Sequence, residues 1–427
     1  MSNLEFFEGY VGETKQMQPR RVVVTGMGAV SPFGNGVDIL LESLEAGKSA
    51  VESISGLEEF GGIRTRVAAL VPDMDAKEIP RKFRRTMSKM SIFATIACQE
   101  ALDQAGVSEK RLSDGKTGVA IGSSIGSPIA SQGFWEDFLA DRSLERMRST
   151  LFFKIMNHSC AANVSHALGI TGRILAPSAA CSTSCQTVGY GFEIIASGKQ
   201  DLMLCGGAEE FHPLMAATFD TLNAVSTNYN DRPSQTPRPF DRDRDGVVCG
   251  EGCGIILLES LDSAKARGAP IFAEIEGFAT ISDATNIANP NADSMECCIR
   301  AALADASADP KDIDYVNAHA TATLQGDIAE SAAIERVFGN ATPVSSMKGH
   351  LGHTMAASGA LELAATVEMI KRDRLIPTLN LDNIDKLCEK VLHLQEMEDL
   401  RINKAIKNNF AFGGVNSSIV LGRYGND

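Results

Sequence analysis

Residues 175–191 read LAPSAACSTSCQTVGYG and residues 201–207 read DLMLCGG, and together they predict a strand–helix–strand unit. Small and hydroxylated residues surround Cys181 before a helical pattern begins. The second stretch is an apolar, strand-like run that ends in two glycines. The pattern places Cys181 at the start of a helix, where partial positive charge and unpaired N–H groups favour a thiolate. The alternative is a buried structural cysteine, because free cysteines are among the most buried residues.

Along the rest of the chain, apolar β-type runs alternate with helix-type segments. Strands are predicted at Val22–Gly26, Thr117–Ile121 and Asp314–Asn317, and helices at Met90–Ala105, Ser294–Ala306 and Asp327–Phe338. Alternation of this kind predicts an α/β protein whose parallel or mixed sheet is covered by helices. Asp262–Gly268 is predicted as a connection that ends in glycine and Pro270, after which the pattern restarts.

Two histidines stand where a short β-type run meets a turn or the start of a helix. They are His319, within YVNAHATAT at residues 315–323, and His353, at the end of SSMKGHLGH at residues 345–353. Small neighbouring residues allow a substrate to approach both closely. For each histidine taken alone, the alternative to a catalytic role is a structural one. Together with Cys181 they suggest covalent acyl chemistry.

Composition and charge narrow the class of protein. The net charge of −14 argues against general nucleic-acid binding, and no apolar run reaches the roughly 18 residues that span a bilayer. The first 21 residues lack the basic-then-apolar pattern of a secretory signal. Ten scattered cysteines fit reduced thiols better than a disulfide framework. The sequence therefore predicts a cytoplasmic protein without a membrane partner.

Five motifs together resemble the β-ketoacyl-[acyl-carrier-protein] synthases, the decarboxylating condensing enzymes of fatty-acid and type II polyketide synthesis. They are RVVVTGMG at 21–28, the Cys181 block, the Asn-Ala-His block, the Lys-x4-His block and FAFGGVN at 410–416. The resemblance covers nearly the whole chain. It implies a thiolase-type fold of two duplicated halves, with central mixed sheets layered between helices as α-β-α-β-α. The implied divisions are a tail at 1–21, a half at 22–268 with the nucleophile and a half at 269–427 with the histidines.

The resemblance also implies the roles of individual residues. Cys181 takes an acyl group, which then condenses with malonyl-[acyl-carrier-protein] to give a β-ketoacyl product. Neutral His319 and His353 donate N–H bonds to the enolate that decarboxylation creates, and Lys348 is paired to Glu362. The backbone N–H groups of Cys181 and Phe412 stabilise the oxyanion. The remaining implied roles are gating for Phe412, contact with the phosphopantetheine arm for Thr321 and Thr323, and structural support for Asp327 and Glu330.

The implied partners are an acyl carrier protein and a second subunit. The phosphopantetheine arm arrives on the carrier protein, so the resemblance implies no bound cofactor and no metal. The second subunit is either another copy or a homologous chain-length factor. A basic stretch is expected to dock the acidic carrier protein, with a solvated helix face as the alternative. It consists of Arg81, Lys82, Arg84, Arg85 and Lys89.

Some positions depart from the fatty-acid pattern. Ala320 and Ala411 replace glycines, and the lysine motif reads MKGHLGH, where the usual form has a threonine before the Gly-His. The extra methyl group of Ala411 is expected to restrict the terminal loop. These departures favour a specialised polyketide or polyene ketosynthase, whereas other segments favour fatty-acid elongation, and both pathways stay open. A thiolase acting on coenzyme A esters and a non-catalytic chain-length partner are the alternatives from other classes.

Overall fold

A computed structural model describes residues 19–145 and 147–425. The predicted tail therefore lies outside the described residues, except for residues 19–21. The main sheet has twelve strands in the described part of the chain, and Gly34–Asn35 is the short one that pairs only with the first. We number the others β1 Val22–Ser31, β2 Thr117–Gly122, β3 Ile174–Leu175, β4 Leu202–Glu209, β5 Gly252–Ser260, β6 Ala273–Ser282, β7 Tyr315–Asn317, β8 Pro343–Ser345, β9 Leu392–His393, β10 Lys404–Ala411 and β11 Val415–Gly422.

Fourteen α-helices lie in the described ranges. They are α1 Val37–Glu45, α2 Arg81–Arg84, α3 Lys89–Ala105, α4 Glu109–Leu112, α5 Pro128–Asp141, α6 Ser149–Ile155, α7 Ser159–Leu168, α8 Thr183–Ala196, α9 Pro213–Thr221, α10 Leu261–Arg267, α11 Ala292–Asp305, α12 Leu324–Phe338, α13 Lys348–Leu351 and α14 Ser358–Arg372. Two small antiparallel sheets pair Glu52–Ser53 with Val67–Ala68 and Arg374–Leu375 with Glu398–Asp399. No described helix is both long enough and apolar enough to cross a bilayer.

The sheet consists of one strand arrangement used twice. In the first half, β1, β5 and β4 are antiparallel neighbours, and β2 and β3 follow in parallel. In the second half, β6, β11 and β10 are antiparallel neighbours, and β7 and β8 follow in parallel. Strand β9 then extends the second half. This topology confirms the two duplicated halves. The first ends with α10 and the second begins with β6, so we keep residue 268 as the proposed boundary.

The helices form three layers around the two halves. Helices α3 and α7 cover the outer face of the first half, and α11 and α12 cover that of the second. Helices α8 and α14 lie between the halves and contact strands of both. The order of layers is thus the predicted α-β-α-β-α. The strands of the two halves are also joined edge to edge, because Val22–Val24 of β1 pair with Ala273–Ile275 of β6.

The six predicted elements are all present, with shifted ends. Strand β1 continues to Ser31, beyond the predicted end at Gly26, and its pairing with β5 shifts register between Val24 and Gly26. Glycines weaken the strand signal in the sequence, which explains the early predicted end. In the folded chain these glycines allow a helix to pack closely against the strand. A Cβ atom on Gly26 or Gly28 would lie 2.1 or 1.8 Å from carbonyl oxygens of α3, so only glycine lets this helix lie against β1.

Candidate active site

Cys181 lies in a 3-10 turn, Ala180–Ser182, immediately before α8 begins at Thr183. Ala180 has φ of 46°, a left-handed conformation that strains a residue with a side chain. The Ser182 hydroxyl donates to the carbonyl oxygens of Asn409 at 2.9 Å and Val415 at 2.8 Å. The second half of the molecule therefore fixes the turn that presents the nucleophile.

The predicted thiolate is wrong for the resting site. Cys181 is 5% exposed, and burial raises its pKa to about 12, although the positive charge of Lys348 opposes the rise. The loss of hydration of a charged sulfur thus outweighs the favourable position before α8. The resting thiol is neutral, and the sequence could not reveal this because burial depends on the folded chain.

His353 is the ring in direct contact with the nucleophile. Its Nε2 lies 2.9 Å from Sγ of Cys181, and its Nδ1 accepts the backbone N–H of Met355 at 3.3 Å. A neutral imidazole carries one hydrogen, so the hydrogen of His353 is on Nε2 and points at the sulfur. Met355 has φ of 50°, a second strained residue that holds this arrangement. His353 is therefore a hydrogen-bond donor to the thiol site.

His319 has the same tautomer for a different reason. Its Nδ1 lies 3.3 Å from Nδ2 of Asn409, and the same amide donates to the carbonyl oxygen of Cys181 at 3.0 Å. A carbonyl oxygen can only accept a hydrogen bond, so the amide of Asn409 must present its NH2 group to it. The same NH2 group faces Nδ1 of His319, which is therefore an acceptor. The hydrogen of this ring is therefore also on Nε2. The rings of His319 and His353 meet edge to face, with centroids 5.3 Å apart.

Both imidazoles are neutral. Burial lowers the pKa of His319 and of His353 well below 6.5, and the positive charge of Lys348 lowers both further. One nitrogen of each ring and the sulfur of Cys181 lie within 4.8 Å of one another. Because Nε2 of His353 faces the sulfur and carries hydrogen, the arrangement suits an anionic oxygen rather than a metal cation.

A buried charge network lies beneath the histidines. Lys348 Nζ lies 2.8 Å from Oε1 of Glu362, which is the predicted pairing. The other oxygen of Glu362 lies 2.7 Å from Nζ of Lys407, a second lysine that the sequence analysis missed. Burial lowers the pKa of Lys348, and Glu362 opposes that change.

The two predicted supporting acids hold the loop that carries His319. Glu330 accepts the backbone N–H groups of His319 at 2.7 Å and Ala320 at 2.6 Å. Asp327 accepts those of Phe240 at 2.8 Å and Ala322 at 3.1 Å. Burial raises the pKa of Glu330 to about 7 and that of Asp327 to about 6. These acids act on the backbone rather than on the reacting atoms.

A cavity of about 430 Å³ connects the nucleophile with the surface. The predicted site residues that line it are Cys181, Thr321, Thr323, His319, Glu330, His353 and Phe412. Phe412 is 39% exposed, and its ring packs against that of Phe219 with centroids 5.9 Å apart. Gly413 and Gly414, with φ of 87° and 74°, form the turn behind it. Ala411 is the last residue of β10 and lies before this turn.

The predicted basic stretch does not line this cavity. Arg81, Lys82 and Arg85 are exposed on and after α2. The side chain of Arg84 donates to the carbonyl oxygen of Ile79 at 2.8 Å, and Lys89 pairs at 2.5 Å with buried Glu251. Arg81, Lys82 and Arg85 therefore present surface charge, whereas the internal bonds just described hold Arg84 and Lys89.

The residues that sequence reasoning missed lie on one face of β10. Lys407 and Asn409 are two positions apart in a strand, so their side chains point the same way, toward α14 and the nucleophile turn. The sequence signal for this pair is their spacing of two positions, which places both side chains on one face of a β-strand. His350, in contrast, is structural, because its ring nitrogens lie 3.0 and 3.1 Å from the carbonyl oxygens of Lys48 and Pro377.

Comparison with known sequences gives the same family for both halves. The patterns of the beta-ketoacyl synthase N-terminal and C-terminal domains match residues 19–264 and 272–382. The 3-oxoacyl-[acyl-carrier-protein] synthase 1 of Haemophilus influenzae is 35% identical, with 95% of this chain and 99% of that protein covered. The synthase 2 of Vibrio cholerae is 36% identical, with 95% and 100% covered.

Solved structures agree. A beta-ketoacyl synthase from Burkholderia phymatum has a TM-score of 0.92 and 43% identity, with 95% of this chain and all of that chain covered. The ishigamide ketosynthase/chain length factor has a TM-score of 0.88 and 32% identity, with 95% of this chain and 100% of that chain covered. A type II PKS acyl-carrier protein in complex with its ketosynthase has a TM-score of 0.87 and 31% identity, with 96% of this chain and 100% of that chain covered.

Proposed function

The chain belongs to the β-ketoacyl synthase family, and from this premise we propose that it condenses an acyl group held on Cys181 with malonyl-[acyl-carrier-protein]. The observation that carries the proposal is the convergence of two neutral imidazoles on the sulfur of Cys181, with Nε2 of His353 2.9 Å from it and a ring nitrogen of His319 within 4.8 Å. A site with fixed donors and a nucleophile at one point suits both acyl transfer and enolate formation.

The first step loads the enzyme. Cys181 attacks the acyl thioester on a carrier protein, the acyl group moves to its sulfur, and the thiol proton ends on the sulfur of the departing carrier arm. The Nε2–H of His353 donates to Sγ, so that bond strengthens as the sulfur gains negative charge. His353 stabilises the attacking sulfur and is not its base, because Nε2, the nitrogen that faces the sulfur, already carries hydrogen.

The second step creates the carbon nucleophile. The malonyl thioester loses CO2, and the electron pair of the broken bond forms an enolate. The enolate oxygen accepts from Nε2–H of His319 and of His353, and these donors act in a buried site where water does not weaken them. Lys348 lies behind the rings and adds a positive charge to the same region.

The third step forms the new bond. The enolate carbon attacks the carbonyl of the acyl group on Cys181, and the tetrahedral oxyanion then collapses. Collapse releases the sulfur, which takes up one proton, and leaves a β-ketoacyl group on the carrier protein. We assign the oxyanion donors to the backbone N–H groups of Cys181 and Phe412, since the latter lines the cavity beside the nucleophile.

The cavity supplies the path for the substrate arm. We propose that the phosphopantetheine arm of the carrier protein enters it past Phe412, which acts as the gate, and that Thr321 and Thr323 bond the arm. Their hydroxyls lie 3.2 Å apart on the cavity wall. The chain's own residues then supply all the donors for the three steps.

We propose that exposed Arg81, Lys82 and Arg85 dock the acidic carrier protein. One of the similar structures contains an acyl-carrier protein with its ketosynthase. Changing the three residues together to glutamate is expected to raise KM for malonyl-[acyl-carrier-protein] and to leave KM for malonyl-pantetheine unchanged. A variant with the wild-type KM for malonyl-[acyl-carrier-protein] would contradict the docking role.

We propose a second subunit, either another copy or a chain-length factor. A similar structure pairs a ketosynthase with a chain length factor. Helices α5 and α6 expose Trp135, Leu139, Phe152 and Phe153, an apolar surface suited to a subunit contact. The relatives include both fatty-acid and polyketide enzymes, so the proposal covers both pathways. The ten cysteines are all free thiols, which supports the proposed cytoplasmic location.

The test is a product analysis with two substrate mixtures. With acyl- and malonyl-[acyl-carrier-protein], intact-protein mass spectrometry is expected to show β-ketoacyl-[acyl-carrier-protein] for the wild type and none for His353→Ala. With acetyl-coenzyme A alone, no acetoacetyl product is expected. Product from coenzyme A alone would instead support a thiolase, although among described residues Cys181 is the sole cysteine lining the cavity.

A further inference from the structure

We propose that Lys407 is a positioning residue of this site, which holds Glu362 together with Lys348 and adds a second buried positive charge behind the two imidazoles. The inference rests on the proposed function and assigns a further residue to that reaction. Its basis is an arrangement of one carboxylate between two ammonium groups, in a place where buried charge is costly.

The contacts of Lys407 fix its ammonium group in the charge network. The residue is 0% exposed within β10, and its Nζ lies 2.7 Å from Oε2 of Glu362 and bonds the carbonyl oxygen of Asn408. The contact with Glu362 is an ion pair without the alignment of a hydrogen bond. Lys348 occupies the other carboxylate oxygen at 2.8 Å. Glu362 is thus held from two sides and cannot turn away from Lys348.

The charges around the imidazoles do not cancel. Lys348 and Glu362 balance each other, and Lys407 is left as an additional cation. Other titratable groups packed against the site come from α12, β4, β5 and the segment before it, and the nucleophile turn. They are Asp327 with its partner Arg244, Glu330, Glu209, Cys249 and Cys181, together with Cys185 of α8 and Tyr315 of β7. Burial raises the pKa of Glu330 and of Glu209 to about 7, so neither carries a full negative charge near neutrality.

This excess positive charge acts on the two rings. It disfavours protonation of His319 and His353, whose pKa values are lowered by burial first and then by the lysines. Protonation would place a hydrogen on Nδ1 of His353, directly opposite the backbone N–H of Met355. A donor would then face a donor, and the ring would lose its position. Lys407 therefore keeps the enolate donors in place at acid pH.

A purely structural lysine makes a different prediction. If Lys407 only filled space, its loss would lower the rate by the same factor at every pH. If it acts through its charge on the site, its loss moves the acid limb of the pH–rate profile upward, because the imidazoles and Glu330, which holds the His319 loop, then gain protons more easily. The shift expected for removing one charge from a buried cluster is on the order of one pH unit.

The experiment measures CO2 release from malonyl-[acyl-carrier-protein] between pH 4.5 and 8. Lys407→Met is expected to move the acid midpoint upward, and Lys407→Arg, which keeps the charge, is expected to restore the wild-type midpoint even at a lower rate. Lys404→Met is the matched control. This lysine of the same strand pairs with Glu276 outside the site, and its loss is expected to leave the midpoint unchanged.

The outcomes separate the two proposals. CO2 release by the wild type with superimposable profiles for wild type and Lys407→Met would overturn the inference and leave the proposed function standing. No CO2 release by the wild type would overturn the proposed function itself. If Lys407→Met does not fold, Lys407→Gln keeps a polar group beside the Asn408 carbonyl and carries the same expectation of an upward shift.

Discussion

At the residue scale, the partners of the two Nδ1 atoms decide what the histidines can do. The backbone N–H of Met355 and the side-chain amide of Asn409 are both donors, and each leaves its ring with hydrogen on Nε2. Both rings therefore point N–H groups at the reacting atoms. Proline, the substitution that removes a backbone N–H, cannot adopt the φ of 50° at Met355, so Asn409 is the position at which this tautomer is open to test.

Asn409→Asp reverses the tautomer with almost no change of shape. A carboxylate accepts from Nδ1–H, so Nε2 of His319 would lose its hydrogen and the enolate would lose one donor. Removing one such donor costs about 10²- to 10³-fold in rate. We expect CO2 release from malonyl-[acyl-carrier-protein] to fall by that factor.

The control is Asn408→Asp, which buries the same new charge one position away. Asn408 is fully buried and bonds Ser418 rather than either histidine. A loss of equal size in both variants would assign the effect to the buried charge and would contradict the role of the Asn409 amide.

The reacting residues could be predicted from the sequence because each belongs to a distinctive motif. Cys181, His319, His353 and Lys348 meet in the structure as those motifs imply. Asn409 gave no such signal, because its role depends on which face of β10 it occupies. The ionisation of Cys181 was predicted wrongly, because the penalty for burying a charged sulfur appears only once the chain is folded.

At the scale of elements, glycines let helices approach the sheet closely enough to build the site. Helix α14 carries Glu362 and packs against β5, where a Cβ atom on Gly254 would lie 2.4 Å from the backbone nitrogen of Leu361. Backbone atoms cannot yield locally, so a side chain here would push the helix away from the strand. The glycine therefore sets the position of the charge network.

Gly254→Ala is expected to lower the free energy of unfolding by about 1–3 kcal/mol, the usual cost of overpacking. Urea denaturation followed by circular dichroism measures the change. Gly133→Ala is the control, because Gly133 lies within α5 with no atom within 4 Å of its added Cβ. That variant is expected to gain about 0.5–1 kcal/mol. A Gly254→Ala protein as stable as the wild type would contradict the packing argument.

Element types were predictable from periodicity, whereas element ends were not. Helix α12 begins at Leu324 rather than at Asp327, and β1 runs past its glycines. Both differences arise because neighbouring elements, absent from a local pattern, stabilise the additional residues. The positive φ of Ala180 and Met355 likewise had no signal, since alanine and methionine rarely adopt it.

At the scale of the molecule, the site exists only where the two halves meet. The first half supplies Cys181, and the second supplies both histidines, Lys348 and the strand that clamps the nucleophile turn. The resemblance implied the duplication, but the sequence alone held no detectable repeat. The strand order shared by the halves is visible in the topology, because backbone pairing persists where side chains have diverged.

The molecule buries nine of its ten cysteines, and this predicts loss of stability at alkaline pH. Burial raises their pKa values above the ordinary 9.0, for example to about 12 for Cys160 and Cys185. Because the folded pKa exceeds the unfolded one, the stabilising contribution is complete below pH 9 and is lost as the pH rises toward 12. Each thiol contributes up to about 1.4 kcal/mol per pH unit in that window.

Urea denaturation under reducing conditions at pH 7, 9 and 10 measures this dependence. We expect a small change between pH 7 and 9 and a steeper fall above pH 9. Removing exposed Cys297 should leave the slope unchanged, whereas Cys205→Ala should reduce it. A free energy of unfolding that is constant from pH 9 to 10 would contradict the account of the buried thiols.

The most direct test of the central claim is the intact mass of the purified chain after exposure to an acyl-[acyl-carrier-protein]. Cys181→Ala and Cys185→Ala are the matched variants, since both remove a buried thiol and the two positions lie one helical turn apart. The wild type and Cys185→Ala are predicted to gain one acyl mass, and Cys181→Ala to gain none. An acyl mass on Cys181→Ala would place the nucleophile elsewhere and contradict the account.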